Sequence, residues 1–155
     1  MERRAFMAIL SGGLLAVLSA AEAQESGKGL PGAPAPRSVV LELQQALALA
    51  TGRLQAMDAA GVLSYVSDRY RSDSLTKPAV REQLWALFSV YDTLRAKVHI
   101  DDVHTVGEDA WVYSTGEVSG RLRMLGTWML VLSWTHEPEV ARREQGVWRL
   151  YGNQK

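Results

Sequence analysis

Two aspartates and three histidines are the side chains with most to offer chemically. Asp68 and Asp73 lie in a short polar run, residues 67–74 (SDRYRSDS), between two apolar segments. At the mouth of an apolar pocket such a carboxylate loses water, its pKa rises, and it can carry a proton between carbons. In an open loop the same residue is a solvated turn former or a helix cap. His99 and His104 flank Asp101-Asp102, a grouping of metal-ligand residue types, and His136 is the third histidine. No recognised ligand spacing joins them and their strand phases do not guarantee a common face, so no metal and no cofactor are expected. Phosphate-binding loops, dinucleotide fingerprints, paired zinc histidines and nucleophile elbows are absent; the serine of residues 116–120 (GEVSG) is wrongly spaced for the last.

Aromatic side chains offer a second kind of site. Tyr70, Trp85, Tyr91 and Trp128 are candidates to line a ligand pocket, where rings and phenols orient an apolar molecule. The alternative is plain core packing, because aromatics at helical or strand period mostly fill cores. Arg121 and Arg123, near a bend, suit either a carboxylate ligand or the surface.

Composition narrows the partners. Lys plus Arg equals Asp plus Glu at 17 each, and the basic residues are scattered, so a nucleic-acid role is not expected. Cysteine is absent, which excludes disulfides, thiolate metal sites and thiol nucleophiles.

The elements that must position these groups begin after a leader. Residues 1–23 have the three parts of a signal peptide: Arg3-Arg4, an apolar stretch, then Ala21-Glu22-Ala23 as a cleavage site. The uncharged stretch is barely long enough to span a bilayer, so a retained anchor is the alternative. Arg3-Arg4-Ala5-Phe6-Met7 also resembles a twin-arginine signal, which leaves the export route open. An exported protein follows, periplasmic or secreted, whose membrane contact is through the signal alone. Residues 24–37, rich in proline and glycine, read as a flexible linker. The folded domain is expected over residues 38–155.

Within it, Val40, Leu43, Leu47, Ala50, Leu54 and Met57 form one helical stripe, with Ser38 as its expected cap. Asp58 suits the cap of a short second helix. Thr76 suits the cap of a third, with Pro78 in its first turn and Val80, Leu84, Leu87 and Tyr91 on its apolar face. After Leu94 the period changes to two. Asp101-Asp102 breaks the phase as a bulge would, and strands follow over 103–106, 110–119, 127–136 and 147–153. Residues 127–136, apolar on both faces, read as a central strand ended by Pro138. The plan is α+β: three N-terminal helices packed on a curved antiparallel β-sheet.

That order of elements resembles the nuclear transport factor two-like superfamily, the SnoaL-like and ketosteroid-isomerase-like cone fold. The local cues are Tyr65-Val66-Ser67-Asp68-Arg69-Tyr70, Gly107-Glu108-Asp109-Ala110-Trp111-Val112 and Gly146-Val147-Trp148-Arg149-Leu150. The resemblance covers residues 39–154. It implies a cone around an apolar pocket and a homodimer joined through the outer sheet face. It also places Asp73, with Asp68 as rival, about where isomerase-like members carry a general base. Those enzymes complete an oxyanion hole with a tyrosine on the first helix and an acid on a late strand. Here the first helix has no tyrosine and residues 127–136 hold no acid. The expectation is therefore non-catalytic binding of a small apolar ligand, or an accessory role in the cell envelope. An isomerase or dehydratase using Asp73 or Asp68, and a protein-binding dimeric module, are the alternatives.

Overall fold

The computed structural model describes residues 30–155; the expected signal peptide and most of the expected linker lie outside the described residues. The first apolar stripe folds as α1 (Arg37–Gln55), which buries Leu43 and Leu54. Its N-cap is Pro36 rather than Ser38, and no side chain caps it. The fixed proline φ already suits the entry to a helix. Asp58 does cap α2 (Ala59–Leu63), its Oδ1 accepting from the Gly61 N–H at 3.0 Å. The polar run after α2 is partly ordered as a small hairpin, β2 (Arg71–Ser72) with β3 (Leu75–Thr76). α3 (Lys77–Val90) starts after Thr76 with Pro78 in its first turn, and buries Val80, Leu84, Leu87 and Phe88. Tyr91, expected on this helix, begins the next strand.

The sheet contains β1 (Ala33–Pro34), β4 (Tyr91–Val106), β5 (Asp109–Leu122), β6 (Trp128–Glu144) and β7 (Val147–Leu150), all antiparallel, in the order β1-β4-β5-β6-β7. β1 comes from the stretch read as linker and pairs with His104 and Thr105. The three helices cover one face of this curved sheet. One apolar cluster joins α1, α2 and α3 to Leu94, Val118, Leu132 and Trp134. A second joins Leu43 of α1 to Ile100, Val103, Ala110 and Ala141. The α+β cone expected from the order of elements is the observed fold.

β6 corrects two expectations. It does not stop at Pro138 but continues to Glu144, with Pro138 opposite Tyr113 on β5. The Val140 carbonyl accepts from the Tyr151 N–H at 2.9 Å, on the side of β7. Backbone groups two residues apart point the same way, so the Pro138 nitrogen faces that side too, where β7 has already ended. No ladder bond is lost there, which is why the strand tolerates a proline. Nor is β6 central along residues 127–136: β7 pairs only with Ala141 to Glu144, and β5 is the middle strand.

Among the described residues, two of the sheet's four register shifts bear on which residues face the helices near the middle of β5. On β4, Asp101 is the extra residue between the pairs Ile100–Ser114 and Asp102–Tyr113, where the sequence breaks phase. On β6, Thr135 and His136 together oppose Thr115, and His136 takes φ 49°. Before this bulge Leu132 and Trp134 are the buried residues; after it Glu137 and Glu139 take up the buried row, followed by Val140 and Ala141. The Thr115 hydroxyl serves both irregularities, donating to Asp101 Oδ2 at 2.7 Å and accepting from the His136 N–H at 3.0 Å.

Thr115→Val keeps the shape and β-branching but removes both hydrogen bonds. At about 1 kcal/mol each, the expected loss is roughly 1–2 kcal/mol of stability, a fall of several degrees in the melting midpoint. A thermal melt monitored by circular dichroism checks it, and an unchanged midpoint would show the bulges held by other means.

Candidate functional site

Between α1 and the sheet lies a partly enclosed cavity of about 110 Å3. Its walls are Leu43, Leu47, Ala50 and Leu54 of α1, Val62 of α2, Ile100 and Val112 of the sheet, and Trp148 and Leu150 of β7. The helical spacing that made the α1 stripe readable is thus also what makes one wall of the cavity apolar. At the far end Trp148 reaches back to α1, its Nε1 donating to Glu42 Oε2 at 2.8 Å. Arg143 donates to the same oxygen, and its guanidinium stacks over the indole 4.9 Å from the ring centre. The Trp148 bond, followed by the charge of Arg143, holds the Glu42 carboxyl below its ordinary pKa.

Into this apolar wall projects one carboxyl group, Glu139, 7% exposed. The bulge at Thr135-His136 is the reason it points inward. Burial pushes its pKa well above the ordinary value, and the charge of Glu137, two residues earlier on the same face, pushes it further. The Val140 backbone N–H opposes this by hydrogen bonding to the carboxyl. Among the described residues Oε2 has no hydrogen-bond partner. Tyr70 lies close enough to feel Glu139: burial first, then the Glu139 charge, raises its phenol pKa, while a hydrogen bond with Ser72 lowers it. Neither glutamate was a candidate from the sequence, because Pro138 between them reads as a strand end.

The residues singled out earlier are dispersed. Asp73 sits at the exposed tip of the β2–β3 hairpin with φ 55°, a left-handed position that aspartate tolerates. The Asp68 side chain is 92% exposed and pairs with Lys77 Nζ at 2.7 Å, whose hydrogen bond and charge lower its pKa. Neither lines the cavity. Tyr70 is buried in the core beside Glu139. Trp85 is 60% exposed on α3. Tyr91 packs over Gly120, where a Cβ would strike its ring. Trp128 lies under the Arg95 guanidinium, 4.1 Å away, on the face of the sheet turned from the helices. Arg121 pairs with Asp92 at 2.8 Å, and Arg123 donates to the Phe88 carbonyl. The histidines border the bulges: His136 Nδ1 is 3.5 Å and His99 Nε2 4.0 Å from Asp101, and His104 Nε2 is 3.8 Å from Asp102. Among the described residues no three His, Cys, Asp or Glu side chains converge as a metal site, and no helix is long and apolar enough to cross a membrane.

Solved structures share this architecture. A nuclear transport factor two-like superfamily protein from Salmonella enterica aligns with a TM-score of 0.63 at 12% identity, over 76% of this chain and 89% of its own. The fold is that of the nuclear transport factor two-like superfamily. A conserved protein from Planctomyces limnophilus gives a TM-score of 0.66 at 14% identity, covering 76% of this chain and 94% of that one. A ketosteroid isomerase-like protein from Erwinia carotovora gives 0.57 at 14% identity, covering the same shares. No protein-family model matches the sequence, and no curated protein matches it. At these identities the likeness is one of fold, and function must be argued from the site.

The buried carboxyl has a thermodynamic signature. An acid whose folded pKa is raised binds its proton more tightly folded than unfolded, so its contribution to stability declines as pH rises from the unfolded value toward the folded one. Glu139→Gln removes that decline. Between pH 5 and pH 9 the variant should gain on the parent, by about 1.4 kcal/mol for each pH unit over which the carboxyl is protonated only in the folded chain. Urea unfolding at both pH values measures this, and a pH-independent difference would place Glu139 in contact with water.

Proposed function

We propose that this domain binds a small, largely apolar ligand in the cavity under α1, with the Glu139 carboxyl as its polar anchor. One observation carries the reading: a buried carboxyl oxygen without a partner, facing a cavity whose walls are mostly hydrocarbon and aromatic. An orphan polar atom at such depth costs free energy that a ligand donor or acceptor recovers. The cavity is of the order of the ~150 Å3 apolar void that takes up benzene, so the ligand, or the part of it enclosed, is small.

Proton transfer to or from the ligand is the second reading. It is favoured by the burial that raises the Glu139 pKa, which suits a group that gives up and takes back a proton. The ketosteroid isomerase-like neighbour makes the idea natural but shares only the fold. In either reading the acid is Glu139, and the exposed Asp68 and Asp73 have no part.

We also propose that the chain is exported through residues 1–23. It would pair with a second copy through the outer sheet face, where Trp128 and Leu130 are 38% and 59% exposed. Intact mass of envelope material should show Gln24 as the first residue, and sedimentation should give a dimer at micromolar concentration. A retained Met1, or a monomer only, would count against these.

Benzyl alcohol tests the pocket, read by isothermal titration calorimetry. It should bind the parent protein, bind Ala50→Leu at least tenfold more weakly, and bind Asp73→Asn and Asp68→Asn like the parent. For the second reading, the protein should speed deuterium exchange beside the carbonyl of cyclopentanone by about a hundredfold, and Glu139→Gln should abolish it. Absence of any benzyl alcohol binding would refute the pocket reading.

A further inference from the structure

The chemistry of the cavity wall goes beyond apolar contact. Only two of its lining residues are acidic or basic, Glu139 and Arg149. Arg149 is already engaged: Nε donates to the Ser64 carbonyl at 3.0 Å and Nη1 to the Glu144 carbonyl at 2.8 Å. Glu139 is the opposite case, with Oε2 buried and lacking a partner. Glu137, buried to 6% on the same face, adds a second acid whose charge bears on the first. Trp148 and Tyr65 bring two aromatic rings to the same wall. Carboxylates and aromatic faces share a preference for cations.

We propose that the cavity selects a small lipophilic amine, with its ammonium on the Glu139 carboxylate and its hydrocarbon body against Leu43, Leu47 and Ile100. This rests on the pocket reading above and supplies the ligand's chemical class. In the unliganded cavity Glu139 feels the charge of Glu137 beside it on the same strand, and the one cation of the lining, Arg149, is committed to backbone carbonyls, so the Glu139 carboxyl keeps its proton. An entering ammonium supplies the missing charge and sheds its water onto the carboxylate and the rings. The Glu139 proton leaves to solvent as the pair forms. The groups facing Glu139 are Glu137 on its own strand, Tyr70 from the segment after α2, Tyr65, and Arg149 on β7. The lining residues of α1, β4 and β5 include no titratable group.

Benzylamine and benzyl alcohol, matched in shape and differing in charge, test this by calorimetry on the full-length chain. At pH 8 the amine should bind at least tenfold tighter than the alcohol. Its affinity should rise at least tenfold from pH 5 to pH 8, with proton release seen as a dependence on the buffer's heat of ionisation. Glu139→Gln should remove the preference, and the proton release in the parent gives a readout independent of that variant. An amine no tighter than the alcohol at pH 8, or binding without proton release below the carboxyl's titration, overturns the proposal while leaving the pocket reading intact. Binding of neither compound overturns both.

Discussion

One hydroxyl group organises the sheet. Thr115 stands on the middle strand, paired with His99 two residues before the extra Asp101 of β4 and opposite the Thr135-His136 bulge of β6, and its hydroxyl hydrogen bonds to Asp101 and to His136. A bulge inverts the alternation of every residue beyond it. Thr115 is therefore where two phase changes are kept in step. Without the β6 bulge, His136, Pro138 and Val140 would continue the inward row of Leu132 and Trp134, and the glutamates would face outward. The cavity's one buried acid is in that sense a product of backbone geometry some distance along the strand. Asp101 and His136, which look like reactive groups when side chains are considered one by one, are in place the fastenings of this arrangement.

Much of the fold is legible in local pattern. The three-four spacing of Val80, Leu84 and Leu87 marks α3, Asp58 caps α2 as its residue type suggests, and Asp101-Asp102 breaks phase where β4 bulges. These are short-range effects, decided within a turn or a few strand positions. The site is less legible because it depends on what lies across the sheet. Pro138 reads as a terminator to any local rule, and it is harmless only because β7 is four residues long and does not reach it. Once the strand is stopped at Pro138, Glu137 and Glu139 become loop carboxylates of no interest. The signal that could have recovered them is the return of apolar residues at Val140 and Ala141 and the turn at Gln145-Gly146, which ask for a longer hairpin.

The aromatic residues teach a related point. Trp85 and Trp128 have the bulk expected of pocket walls, yet both lie on surfaces turned from the cavity, while Trp148 closes it. Side-chain type states what a residue can do in a pocket; the register between β6 and β7 decides which residue has the opportunity. Trp148 owes its place to pairing with Arg143, which carries it to the same oxygen of Glu42 that Arg143 engages.

The proline in β6 has a consequence for the protein's life in a crowded compartment. Among the described residues this strand pairs on the β7 side only over Ala141 to Glu144, and a bare strand edge is a template on which another chain can add itself and start to aggregate. An incoming strand would need an unbroken row of donors and acceptors. Pro138 withholds one N–H from that row, and the bulge just before it twists the edge out of line. The same short stretch that turns an acid toward the cavity thus leaves the molecule a poor seed for fibrils, a useful property in a chain that has no disulfide to hold its sheet together.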